Sequence, residues 1–212
     1  MFIPKIFNHD NQADIIALMN KNPLATVVYN DKHNLPQACH VPILYVNDDK
    51  GQRLIGHVHR GNTLWQNTDK PWLVIFTGAS HYISPNWYPS KQKTHQEVPT
   101  YNYQAVHIRT QATLVEELSA VKEILAQTTQ FFEQKLASKT HVPWTLADAP
   151  SDFIDKLCPA LVAFELSILD VQCAFKLSQN KSLENKQGVI EGLTALTTPD
   201  ADTMANLINT MK

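Results

Sequence analysis

Four short stretches gather side chains that could hold or transform a small molecule. In His57-Val58-His59-Arg60-Gly61-Asn62 the end of a strand sets a cation, a flexible backbone and an amide at one point. That combination suits an anion such as a phosphate, because Arg offers a forked donor and Gly lets backbone amides approach. The start of a following helix would add to the same field. A plain strand-to-helix turn with a solvated Arg would use the same residues. His57 and His59 alternate onto one strand face. No carboxylate or Cys stands at a spacing that completes a metal site, so hydrogen bonds to a ligand or to backbone are their nearer use.

The stretch Ser80 to Tyr88 mixes hydroxyls, an amide, an imidazole and wide rings, with Tyr82, Ser84 and Trp87 at its centre. Rings to pack against and donors to fix an edge are what a planar, polar-edged cofactor needs. An aromatic plug over a barrel end is the structural alternative. Thr100-Tyr101-Asn102 has the same character and leads into a strand. In Lys176-Leu177-Ser178-Gln179-Asn180, Lys176 and Ser178 project from one side, with Gln179 just beyond. They could meet a second anion or a cofactor edge, or form a solvated strand end. There is no nucleophile elbow, P-loop or dinucleotide glycine pattern, and no carboxylate pair suited to acid–base work.

The elements that must position these groups are mostly strands. A helix is expected over Asn11–Lys21, stopped by Asn22-Pro23. Strands follow at Leu24–Tyr29, Gln37–Val46 and Arg53–His59, separated by Asn/Asp-rich turns. A short helix is expected at Thr63–Asn67. Trp72–Thr77 is an apolar run that fits a strand buried on both faces. Gly78–Asn102, with Pro85, Pro89 and Pro99 among its aromatics, reads as a long functional loop. Tyr103–Val115 resumes as a strand. Ser119–Leu136 is a helix with a stripe of Leu118, Val121, Leu125, Thr128, Phe132 and Leu136. Ala160–Leu177 reads as two strands or one bent strand. Two helices close the chain, one starting near Ser182 and one at Thr198-Pro199. Without repeated strand–helix–strand alternation, the pattern is β-rich α+β: a small antiparallel barrel with peripheral and C-terminal helices.

The chain has 212 residues, of which 18 are basic and 20 acidic, and 43% are hydrophobic. This fits a soluble globular protein with an ample core. The net charge of −2 lacks the basic surplus usual in nucleic-acid binders. The last two helices carry Glu184, Glu191, Asp200 and Asp202, which a polyanion would repel. No run approaches a membrane span, and the N-terminal apolar stretch is too short and too interrupted for a signal peptide. Cys39, Cys158 and Cys173 are few, far apart and suited to a reduced cytoplasm as small buried hydrophobes.

Together, Gly56–Asn62, Phe76-Thr77-Gly78 with Tyr82–Tyr88, Val98–Tyr103 with Val106-His107, and Phe175–Asn180 resemble the PaiB family of FMN-binding negative transcriptional regulators. The stretches run in order over most of the chain. The Ser-Pro-x-Trp-Tyr and Lys-Leu-Ser-Gln-Asn blocks are specific in combination. His59 and Gly61 stand where the family more often has Ala, and Tyr101 where Trp is common. The resemblance implies a flavin-reductase-like split β-barrel, one domain over residues 1–212 with a helical appendage from about residue 181. It also implies a homodimer with FMN near the subunit interface. The contacts expected for FMN are His57, His59, Arg60, Asn62, Tyr82, Ser84, Trp87, Thr100, Tyr101, Asn102, Lys176, Ser178 and Gln179. The family's regulatory role is expected to be indirect, because no DNA-reading helix is present. Two alternatives stay open: a flavin-dependent oxidoreductase using NAD(P)H or a reduced deazaflavin, and a haem-binding or haem-degrading split barrel with His57, His59, His81 or His107 as axial ligand. Whether the protein turns over a substrate is left open, since a flavin can supply the chemistry itself.

Overall fold

The computed structural model describes residues 1–211, so Lys212, the last residue of the expected appendage, lies outside the described residues. The chain divides into two compact units. Among the described residues, the first holds 1–21, 77–107 and 172–211, and the second holds 22–76 and 108–171.

In the second unit, β1 (Leu24–Asn30), β2 (Pro36–Asp48) and β3 (Gly51–His59) form a meander. Its first turn forms because the Asp31 carboxylate accepts from the amides of His33 and Leu35, both at 2.9 Å, while Asn34 takes a left-handed φ of 62°. The second turn uses Gly51 at φ 88°. Strands β4 (Trp72–Ile83), β5 (Thr100–Val115) and β6 (Leu161–Lys176) complete an antiparallel-rich sheet in the order β1-β2-β3-β6-β5-β4. The sheet closes because β1 pairs with β4 as well as with β2. One charged group is built into this wall. Arg53 of β3 is buried and holds Asp48 through two nitrogens, at 2.6 and 2.9 Å, and Glu165 of β6 at 3.2 Å. The guanidinium holds the Asp48 carboxyl down at about 2.

Trp72, Val74 and Phe76 are fully buried, whereas Leu73 and Ile75 are only half-buried. The expectation of a strand buried on both faces is therefore corrected: one face points into the core and the other is half covered. Helix α3 (Leu118–Leu136) buries Val121, Ile124 and Thr128, with Leu125 and Phe132 partly covered. Leu118 and Leu136, expected on the apolar stripe, are exposed because they are the first and last residues of the helix. Helix α4 (Ser151–Leu157) went unread in the sequence. Its Ile154 joins Leu44, Ile55, Val121, Ile124, Cys158 and Ala163 in one cluster.

In the first unit, α1 (Gln12–Lys21) buries Leu18 and Met19. The loop expected over residues 78–102 is shorter. Strand β4 runs on to Ile83 and β5 begins at Thr100. Exposure alternates from Ala79 to Ile83, with Ser80 and Tyr82 exposed and Ile83 buried, as in a strand with one covered face. The remaining segment, Ser84 to Pro99, holds a 3-10 turn over Pro85–Trp87 and a short helix α2 (Pro89–Thr94). Helices α5 (Leu183–Thr194) and α6 (Pro199–Thr210) begin where expected. The hydroxyls of Ser182 and Thr198 cap them by accepting from the amides of Asn185 and Ala201. Strand β6 is one continuous strand.

Candidate functional site

At the end of β3, in the second unit, the expected anion cluster diverges. Arg60 reaches toward the β6 side: its Nε donates to the Pro159 carbonyl at 2.7 Å and its Nη2 to the Leu161 carbonyl at 3.2 Å. Its guanidinium also lies 5.5 Å from the Trp65 ring, whose indole N–H donates to the Arg60 carbonyl. Asn62 turns toward β2, the other neighbour of β3. Its Oδ1 accepts from the Leu64 amide at 2.9 Å, and its amide group bonds the Cys39 thiol. The structure thus does not bring the Arg60 and Asn62 side chains together.

The backbone amide of Gly61, expected to be open to an anion, donates instead to His59 Nδ1 at 3.0 Å. That bond leaves the proton of a neutral His59 ring on Nε2, and the ring is exposed. A Cβ at position 61 would stand 3.1 Å from the same nitrogen, so a larger residue there would need the His59 ring to shift by a few tenths of an ångström. The expected helix after Asn62 is a single 3-10 turn over Leu64–Gln66, too short for a helix field. His57 is half-buried, and its Nδ1 has no partner among the described residues. Burial pushes its pKa down and keeps the ring neutral.

In the first unit the structure gathers more of the expected residues. Lys176 Nζ donates to the Thr100 hydroxyl at 2.5 Å, and Asn102 Nδ2 donates to the Ser178 hydroxyl at 2.9 Å. The four side chains share one face at the ends of β5 and β6. Asn102 is fully buried, and its Oδ1 has no partner among the described residues. Ser178 is buried with a left-handed φ of 63°, a conformation unusual outside glycine. Burial lowers the pKa of Lys176, whose ammonium lies 5.8 Å from the Phe7 ring. Tyr82 and Tyr101 are exposed and meet edge-on at 6.4 Å. This set offers a half-buried cation, a hydroxyl and open aromatic surface.

Three expected contacts have local structural roles here. Ser84 caps the 3-10 turn by accepting from the Asn86 amide at 3.2 Å. Gln179 accepts from the Leu177 amide and donates to the Phe175 carbonyl, so both ends of its amide close the turn after β6. The Trp87 ring lies against Gly192 of α5, and its carbonyl lies against Gly188.

Sequence reasoning missed the polar knot that holds this loop. Glu97 accepts from Lys181 at 2.6 Å, from Ser90 at 2.6 Å and from Asn185 at 3.1 Å. Asn185 also accepts from the Ser90 amide, and the Lys181 ammonium stands 4.4 Å over the ring of buried Tyr88. The two stretches, Ser90 to Glu97 and Lys181 to Asn185, lie 84 to 95 positions apart in sequence by their contacts, so nothing local joins them. The Gly188-x-x-x-Gly192 spacing was a legible sign of close helix packing. Lys181, with Ser90 and Asn185, holds the Glu97 carboxyl below the usual carboxylate range. Its stabilisation is therefore complete above the unfolded pKa of about 4.3 and is lost as pH falls through the lower folded value. Lowering the pH from 6 to 3.5 is expected to depress the thermal midpoint less in Glu97→Gln than in the unmodified protein. Equal depressions would remove Glu97 from the acid response.

Residues 1–170 match the family described as "Putative FMN-binding domain". Over 210 residues the chain is 31% identical to "Protease synthase and sporulation protein PAI 2" of Bacillus subtilis, covering 98% of this chain and 96% of that protein. The chain belongs to the PaiB-type FMN-binding domain family. Two solved structures share the fold of this PaiB-type chain. A conserved hypothetical protein, Rv2991 of Mycobacterium tuberculosis, aligns at a TM-score of 0.58 with 12% identity, over 85% of this chain and 92% of that one. An FAD and heme binding protein of Mycobacterium smegmatis aligns at 0.55 with 16% identity, over 80% and 73%. The split-barrel fold expected for a PaiB-type protein is the fold observed. Among the described residues, no helix is long and apolar enough to cross a membrane.

Proposed function

We propose that the protein binds FMN and affects gene expression indirectly. The observation that carries this reading is the family match over residues 1–170. The donor chemistry of the first unit fits the cofactor: the Lys176 ammonium and Thr100 hydroxyl suit a phosphate or ring carbonyls, and the exposed faces of Tyr82 and Tyr101 suit a planar ring system. Asn102 bonds Ser178 two positions beyond the Thr100–Lys176 pair, while Ser84 and Gln179 close the surrounding turns and Trp87 packs on α5. In the second unit, His57, His59, Arg60 and Asn62 are proposed as cofactor contacts to be tested by themselves. FMN, when bound, supplies the redox chemistry, and the chain's residues bind and orient it.

Titration of FMN, followed by flavin fluorescence, tests the reading. Saturable binding at one FMN per chain is expected, and no binding would overturn it. Lys176→Ala is expected to weaken FMN about tenfold, in line with losing one charge-assisted bond. Arg60→Ala is expected to cost less, since one edge of its guanidinium already holds backbone carbonyls. Unchanged affinity in both variants would remove both residues from the site.

The homodimer and the cytoplasmic location belong to the same proposal. Support for the second is that Cys39, Cys158 and Cys173 are all free thiols. Among the described residues, the acidic first turn of α6, with Asp200 and Asp202, disfavours direct DNA contact. A haem reading has one specific support: the neutral His57 ring with an unbonded Nδ1. A Soret band on haem addition that is lost in His57→Ala would favour it over FMN.

A further inference from the structure

Beside Arg60, within the second unit, lies a cleft of about 460 Å³. That volume falls in the range of small-molecule sites, roughly 300–1,000 Å³. Its lining is mostly apolar, with Leu114, Val121, Cys158 and Val162 inside, the exposed Leu118 at its mouth, and the Trp65 indole and Arg60 guanidinium beside them. None of the apolar lining residues belongs to the cofactor contacts proposed above.

The rim cation is fixed in place. The Nε and Nη2 edge of Arg60 is held by the carbonyls of Pro159 and Leu161, and the group rests beside Trp65. The end-on edge, formed by Nη1 and the second Nη2 hydrogen, makes no hydrogen bond among the described residues. A planar guanidinium pinned on one edge and open on the other is set to receive a carboxylate through two parallel bonds. Two carboxylates also border the cleft, Glu116 and Asp155. Asp155 is ion-paired with Lys122, and Glu116 has no ion pair among the described residues. Its charge disfavours a dianion such as a phosphate monoester and tolerates a single negative head on an apolar body.

We propose that this cleft binds a small amphipathic monoacid, an aryl or branched alkyl carboxylate. Its head meets the open edge of Arg60 and its body lies on Leu114, Leu118, Val121 and Val162. Arg60 is shared with the cofactor contacts proposed above, whereas the apolar lining is not, and competition between the probe and FMN separates the two uses of the guanidinium.

The test uses 4-(trifluoromethyl)phenylacetate as probe, watched by fluorine NMR on the full chain. Saturable binding is expected, with the methyl ester at least tenfold weaker because it lacks the charge. Arg60→Gln is expected to bring the acid down to the ester's affinity. Val121→Trp fills the floor and is expected to abolish binding of both. Should that variant unfold, Leu118→Trp closes the mouth from an exposed position and is expected to do the same. Equal affinity for acid and ester, or undiminished binding in Arg60→Gln or in the folded cleft-filling variant, would overturn the proposal. Displacement of the probe by FMN would also overturn it, by showing that the open edge serves a phosphate. FMN binding at its own site with the probe still bound supports it.

Discussion

Replacing Gly188 with alanine is expected to destabilise the protein by about 1–3 kcal/mol, although alanine is the better helix former. A Cβ at position 188 would stand 2.1 Å from the carbonyl oxygen of Trp87 and 2.8 Å from Pro89 Cδ. Neither atom ends a flexible side chain, so α5 itself must move away. That movement would disturb Val189 and Leu193, which are buried on the same helix, and strain the knot joining Asn185 to Ser90 and Glu97. Relative to glycine, alanine gains roughly 0.5–1 kcal/mol in a helix, so the measured loss is what remains after that gain. Gly192→Ala is the informative companion. Its Cβ would meet the Trp87 ring at 2.3 Å from Cγ, and a ring can swing out where a backbone carbonyl cannot. Gly192→Ala is expected to cost less in urea unfolding and to expose Trp87 to water, shifting tryptophan emission to longer wavelength. A Gly188→Ala protein as stable as the parent would show that α5 does not depend on this close approach.

The helix ends were legible because single residues cause them. Ser182, and Thr198 with Pro199, announce the caps of α5 and α6 in the letters themselves, and both act as caps. The turns before β2 and β3 were legible for the same reason, through Asp31 and Gly51. Helix α4 was not, because its seven residues contribute one buried side chain, Ile154, too few for a period to show. The far half of β4 was hidden by its neighbours: the prolines that break the chain come after Ile83, yet they coloured the reading back to Gly78.

The candidate site was legible as composition and only partly as geometry. Lys176, Thr100, Asn102 and Ser178 were picked separately for their chemistry, and the pairing of β5 with β6 brings them into contact. Arg60 and Asn62 stand two positions apart and were read as converging. Their side chains reach opposite flanks of β3, because the turn after His59 carries one toward β6 and the other toward β2. Short sequence spacing fixes which residues are near in the chain, whereas the partner strand decides what each one touches. Gln179 shows the same limit: its amide is equipped for a ligand edge, and the backbone of its own turn uses both ends.

Trp72→Ala is expected to cost about 3–5 kcal/mol, the range for truncating a large buried aromatic. Measured against the roughly 5–15 kcal/mol that typically holds a domain together, this is the most damaging change considered for the second unit. Trp72 has no exposed surface, meets Phe164 edge-on at 5.3 Å, and sits on β4 next to the residues that pair with β1. Its indole N–H donates to the Asn67 carbonyl at 2.7 Å, and its own carbonyl accepts from the Thr110 hydroxyl. Asn67 in turn closes the turn that follows Asn62, through its amide to Leu64 and its side chain to the Thr63 carbonyl at 2.8 Å. Loss of the indole therefore loosens the segment that carries Asn62, Leu64 and Trp65 as well as the core beneath it. Trp72→Phe separates the two effects. It keeps most of the ring volume but leaves the Asn67 carbonyl without its donor, at a cost of about 1–3 kcal/mol. Urea unfolding gives both stabilities, and amide exchange at residues 62–67 reports the turn. Faster exchange there in Trp72→Phe, with the core still protected, is the expected result. Exchange unchanged in that variant would mean that the turn is held by Asn67 and Thr63 without the indole.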